Sequence, residues 1–314
     1  MALFDKKLIP LDVWIQQTVE PIALWLRPFF QAIKWPVEKT LSGFELFLIN
    51  VPHPVFLVIA GLVSWQLSNA RIGVLVMAGF TVIGLIGVWK AAMTTLSLII
   101  TAVTFCIIIG LPLGVASAKS DRVQLVIRPI LDVMQTLPAF VYLVPIVMLM
   151  GIGNVPGVMV TIVFALPPIV RLTNLGLREV PASLIEAAYS FGSSPRQVLL
   201  KIQMLLALRP IMAGVNQTLM MALAMTVISS MIAVDGLGMI VLRGIGRLDM
   251  GLAAIGGIGI VILAMILDRV TQEVGLASES TTSWSRRGPI GLLVKLWLSL
   301  NSNSNTNSST REVK

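Results

Sequence analysis

The sequence predicts an all-α protein, a polytopic membrane helix bundle of about seven spans. Three observations carry that expectation. Of 314 residues, 56% are hydrophobic and 12% charged, with a mean hydropathy of +0.90, where a soluble domain carries about 25% charged residues. The missing charges are absent from whole stretches: no Asp, Glu, Lys or Arg occurs at 46–70, 72–89, 91–118, 133–170, 210–234 or 250–267. A hydrocarbon core of ~30 Å takes about 20 helical residues, so each window fits one crossing and 133–170 fits two. Period-two alternation is missing and the runs far exceed the ~10-residue strands of a membrane barrel. Helices are then the remaining way to satisfy the backbone in lipid, and a soluble enzyme is excluded.

The elements follow in order. Residues 1–50 precede the spans and interleave Trp14, Trp25 and Trp35 with charges of both signs. They read as amphipathic helix at a membrane face with aromatic anchors; the basic-then-apolar order of a signal peptide is missing. A transmembrane domain, 51–275, holds spans near 54–70, 72–89, 91–118, 131–150, 157–175, 211–233 and 251–268. The Gly151–Gly157 stretch separates the fourth from the fifth as a turn. The tail, 276–314, contains an Asn/Ser/Thr run at 301–310 that cannot bury a core and reads as partly disordered. One cysteine, Cys106, and one histidine, His53, exclude a disulfide framework and a His- or thiolate-based metal site, and no cofactor is expected. The net charge of +8 is read through loop placement in lipid, not as attraction to nucleic acid.

Basic residues orient the bundle. Arg71, Lys119, Arg122, Arg128, Arg171, Arg178, Arg196, Lys201 and Arg209 fall on one side; Lys90, Arg243 and Arg247 fall on the other. The richer side is cytoplasmic, which places loop 177–209 and the C-terminus inside and the N-terminus outside. Within that loop, Ser183-Leu184-Ile185-Glu186 reads as a capping box, and Gly192 suits a left-handed helix stop. Ser194-Pro195-Arg196-Gln197 reads as a second box, with Pro195 at the first helical position. Two short helices with a glycine corner therefore project from spans five and six, stiff enough to carry motion from a soluble partner into the bundle.

Glu186-Ala187-Ala188, Gly192 four positions after Ala188, and Ile202 ten beyond that resemble the coupling signature of permease subunits of bacterial ATP-binding-cassette importers. The usual Ile-x-Leu-Pro ending is replaced by Ile202-Gln203-Met204-Leu205, with Pro210 five residues on. Gln135–Pro145, Gly151–Gly157, Ala165–Arg171, Gly214–Thr218 and Leu242–Asp249 are similar to the permease of the glycine betaine/proline uptake systems. The resemblance implies a type I importer permease architecture in the bacterial inner membrane. It also implies a permease homodimer, two cytosolic ATPase subunits and a soluble substrate-binding protein. The segment Ser183, Glu186, Ala187, Ala188 and Gly192 would dock on the ATPase, and the substrate would be a compatible solute such as glycine betaine or proline betaine.

Prolines 112, 138, 145, 167 and 168 interrupt spans three to five, and such breaks persist in lipid only beside protein or a wet cavity. The expected passage therefore includes Gln135, Thr136, Pro138, Tyr142, Pro145, Asn216, Gln217 and Thr218; interhelical hydrogen bonding is the better reading of any single polar group, and as a set they mark the bundle interior. Asp235, Arg243, Arg247 and Asp249, in the outer loop after span six, either meet a binding protein or stand solvated. The alternative, an ion-coupled secondary transporter, normally places ionisable groups within its spans; here Asp132 and Asp268 lie only at span ends. No Gly-x-x-x-x-Gly-Lys-Ser/Thr loop occurs, so ATP must be hydrolysed on another subunit.

Overall fold

The computed structural model describes residues 11–277, with side chains at 21, 25 and 27–274. The expected tail beyond Ala277, like residues 1–10, lies outside the described residues. All described secondary structure is helical. Four helices are long and apolar enough to cross a membrane: α4 (Trp89–Lys119), α7 (Asn154–Arg178), α11 (Leu208–Ser229, extended by a 3-10 turn to Ile232) and α13 (Met250–Ala277).

The remaining windows are apolar without being straight, and the expected seven spans become four, or up to six among the described residues if each bent pair counts as one. The pair α1 (Leu11–Asn50) and α2 (His53–Leu67) bends by 112° at Val51-Pro52. The pair α5 (Asp121–Thr136) and α6 (Ala139–Met150) bends by 101° at Leu137-Pro138, so no straight span occupies 131–150. In both, a proline opens the second helix, where its missing N–H and fixed φ are tolerated, and disfavours helical backbone just before it. Helix α3 (Ala70–Leu85) has 16 residues, about 24 Å at 1.5 Å per residue, and ends before Gly87, whose φ of +82° turns the chain into α4.

The core is formed by α4, α7 and α11. Gly110 and Gly114 lie one turn apart on α4, where an added Cβ would stand 2.4 Å from Ile169 Cγ2 and 2.6 Å from Thr173 Cβ of α7. This close approach is how helices gain packing energy in lipid without a hydrophobic driving force. Fully buried Ile99, Cys106, Ile169 and Met225 fill the space between the three. Helix α1 does more than carry exposed Trp25 and Trp35: Val37, Leu41 and Leu48 of its C-terminal half are buried in the same core.

The ends of the bundle are distinct. Arg178 near the C-terminus of α7 donates to the Ser117 carbonyl near the C-terminus of α4 at 2.9 Å. At the opposite end, Leu237 N–H donates to Thr95 Oγ1 at 2.8 Å and Asp235 N–H to Asn154 Oδ1 at 2.8 Å. Thr95 and Ser117 are separated by about 33 Å of helix. The short helix α12 (Leu237–Arg247) lies at this second end and packs on α13, where Gly259 admits Leu237.

Candidate functional site

A helical hairpin follows α7 at the first end: α8 (Ala182–Ser190), α9 (Pro195–Val198), a π-helical turn (Leu199–Gln203) and α10 (Met204–Leu206). The glycine corner forms as expected. Gly192 has φ +76°, its N–H donates to the Tyr189 carbonyl at 2.9 Å, and Ser193 N–H reaches the Ala188 carbonyl at 3.1 Å. These two bonds make a Schellman stop. The second capping box is complete: Gln197 N–H donates to Ser194 Oγ and Ser194 N–H to Gln197 Oε1.

The first box is not formed. Pro181 occupies the cap position of α8, so the helix begins at Ala182, two residues earlier than a Ser183 cap requires. Ser183 sits inside the first turn and Glu186 beyond it, both exposed. Ala188 is 6% exposed and faces into the hairpin, whereas Glu186, Ala187 and Tyr189 face outward. Phe191, 90% exposed, stands at the tip. The hairpin thus offers a small-residue and aromatic outer surface on a capped, rigid frame. The unusual Ile202-Gln203-Met204-Leu205 stretch spans the junction of the π-helical turn and α10, so the extra residue per turn falls where the family ending is altered.

The residues expected to line the passage gather at two separate places, while Pro112, Pro167 and Pro168 lie within the continuous helices α4 and α7 and do not break them. At the α5–α6 corner the Tyr142 phenol lies 2.9 Å from the Met134 carbonyl and 3.2 Å from that of Val133, to either of which it can donate. The Met134 carbonyl is the one whose helical donor would be residue 138, a proline without an N–H. Tyr142 therefore replaces the lost backbone donor, while Thr136 donates to Val133 at 3.3 Å. Gln135 is half-buried beside the corner, and Pro138 and Pro145 are exposed.

The second place is a cleft of about 480 Å³ between α11 and α13, lined by Arg209, Met212, Asn216, Gln217, Met220 and Thr271 among others. Asn216 Nδ2 donates to Asp268 Oδ1 at 3.0 Å, Thr271 Oγ1 donates to Asn216 Oδ1, and Gln272 donates to Asp268 at 2.6 Å. Thr218 does not share this cleft. It is fully buried, and its hydroxyl has no hydrogen-bond partner among the described residues. Thr226, Ser229 and Ser230 donate to carbonyls of their own helical segment and so do not bridge helices.

Two ion pairs that the sequence does not announce tie α5 to α7. Arg171 meets Asp132 at 2.5 Å and Arg178 meets Asp121 at 2.7 Å, flanking a cavity of about 350 Å³ that Arg128 and Asn174 also line. The available signal is that Asp132 and Arg171 border the charge-free window 133–170, but nothing in chain order pairs them, and Asp121 and Arg178 border no such window. The half-buried Asp268 was visible in the same way, without its partners.

Residues 110–272, spanning both ends of the bundle and the hairpin, match the family described as binding-protein-dependent transport system inner membrane component. The chain belongs to that family. As a member it is the multi-pass inner-membrane component of a binding-protein-dependent transport system, and ATP hydrolysis falls to a separate subunit. It is 58% identical over 93% of its length to the glycine betaine/proline betaine transport system permease protein ProW of Escherichia coli (strain K12), covering 83% of that protein. It is 41% identical to the glycine betaine/carnitine transport permease protein GbuB of Listeria monocytogenes serotype 1/2a (strain 10403S), over 87% of this chain and 98% of that one. A chain of the MetNI methionine ABC transporter, in a structure titled as inward facing, shares the fold: TM-score 0.55, 21% identity, 59% of this chain and 93% of that chain.

Proposed function

We propose that two copies of this chain form the passage of an importer for a small quaternary-ammonium zwitterion such as glycine betaine or proline betaine. Two cytosolic ATPase subunits dock on the two α8 hairpins, and a soluble binding protein delivers the substrate at the opposite end. In this reading the C-terminus is cytoplasmic and the N-terminus outside. The substrate class rests on one observation, the 58% identity over 93% of the chain to a permease named for these betaines.

Mechanically, closure of the ATPases moves Glu186, Ala187 and Phe191. Because Gly192 and the Ser194 box leave the hairpin no free joint, that motion passes into α7 and α11, which flank it in the chain. The bent pair α5–α6 is the part of the passage wall that can change its angle, since the corner is held by a side-chain donor and not by a continuous backbone ladder. A secondary transporter would instead use a carboxylate in the spans, but Asp268 already accepts from Asn216 and Gln272.

The deciding experiment is uptake of labelled glycine betaine by cells producing this chain with its ATPase and binding protein. Uptake lost with a hydrolysis-dead ATPase supports the reading. Uptake that survives that variant and collapses with an ionophore overturns it.

A further inference from the structure

At the end of the bundle opposite the hairpin, a cleft of about 490 Å³, open to solvent on one side, lies between α1, α4 and α12, with Lys90, Asp235 and Arg243 at its exposed rim. Its lining includes Glu45 of α1, Lys90 of α4, Asp235 of the preceding loop and Arg243 of α12. The charges alternate in sign and sum to zero. None of the four takes part in an ion pair among the described residues. Glu45 is half-buried, and one of its carboxylate oxygens accepts from Thr94 Oγ1 at 3.2 Å. A carboxylate has about four acceptor sites, so most of Glu45's capacity is unspent.

The backbone holds this arrangement open. The Asp235 N–H is bound by Asn154, Gly236 adopts φ +121°, and the Leu237 N–H is bound by Thr95. Asp235 and the start of α12 are thereby pinned to α7 and α4. Between the charges lie Val88, Met239 and Ile240, which supply apolar contact.

We propose that this cleft is a holding site for a small zwitterion at the outer mouth of the permease. The proposal rests on the substrate class inferred above. A quaternary ammonium has no N–H to donate and is held by aromatic faces or by negative charge with apolar contact around its methyl groups; the lining of this cleft has no aromatic ring and offers the second. Glu45 and Asp235 provide the charge and Met239 the contact. Lys90 and Arg243 provide donors for the substrate carboxylate, Arg243 with a planar fork suited to bidentate binding. The volume lies within the ~300–1,000 Å³ range of ligand pockets. Glu45 and Lys90 fall outside the 110–272 segment that matches the family, so the site is assembled from that segment and from elements preceding it.

The test is direct binding of labelled glycine betaine to the purified, assembled transporter in lipid nanodiscs without its binding protein. Saturable binding is expected, weakened about tenfold or more by Glu45→Gln and by Arg243→Gln, as loss of one charged contact implies. Arg243→Lys should retain most of it. Choline, which lacks the carboxylate, and acetate, which lacks the cation, should compete about tenfold more weakly than glycine betaine. Basal ATPase activity and yield should match wild type in each variant, which separates loss of the site from loss of the fold. Uptake by the wild type without saturable binding overturns the site and leaves the substrate class standing; absence of uptake overturns the substrate class. Loss with Glu45→Gln but not Arg243→Gln, or choline competing equally, overturns the zwitterion assignment.

Discussion

At the scale of single residues, two positions do work that their type alone does not reveal. Tyr142 stands in for the backbone donor that Pro138 lacks. Tyr142→Phe keeps the ring and removes the hydroxyl, leaving the Met134 carbonyl without its donor. The expected cost is about 1 kcal/mol, read as a lowered thermal midpoint of the purified transporter, and uptake should fall with it. An unchanged midpoint would mean that water serves the carbonyl equally well. Gly192 is bound to its φ of +76°. Gly192→Val places a β-branched residue there at roughly 1–2 kcal/mol, and should abolish uptake while membrane insertion, followed by blotting of the membrane fraction, stays normal. Full uptake would remove the hairpin from the coupling path. Ala188→Glu should also abolish uptake, but through the hairpin's own packing, because Ala188 faces inward and not toward a partner.

At the scale of elements, the junction between α5 and α7 is held by charges from about one-third exposed (Arg178, 36%) to largely exposed (Asp121, 82%). Each such pair contributes roughly 0–1 kcal/mol and weakens with salt, so these contacts position α5 more than they stabilise the fold. Asp132→Arg should reduce uptake by placing two guanidinium groups together. The double exchange Asp132→Arg with Arg171→Asp should recover most of the loss. A double exchange no better than the single one would show that the identity of the groups, and not their attraction, matters. The α8–α9 corner is a contrasting case. Its capping box and left-handed glycine were legible from Ser194, Gln197 and Gly192, since capping is a contact between near neighbours in the chain. The first box failed for an equally local reason, Pro181, whose fixed backbone starts the helix one residue before Ser183.

At the scale of the whole molecule, the residues marked as a passage divide into two places and one buried exception. Single cysteines at Gln135, Asn216 and Gln217 should react with a membrane-impermeant thiol reagent in inverted vesicles. A cysteine at Thr218 should not, because that position is fully buried. The background is clean, as the native thiol Cys106 is itself fully buried. Reaction at 218 without reaction at 217 would reverse the assigned faces of α11.

Chain order and composition were enough to establish a helical membrane bundle, its charge-free windows, the capped hairpin and the family resemblance. Each of these depends on the solvent a segment must meet or on contacts a few residues apart. Which windows run straight, which aspartate meets which arginine, and which face of α11 carries Asn216 and which Thr218 depend on contacts between residues dozens to hundreds of positions apart. Lipid demands an apolar exterior of every helix alike, so hydropathy cannot rank one helix face above another. Packing against α7 and α13 does so, and it also brings Glu45 and Arg243 to one cleft across 198 residues of chain.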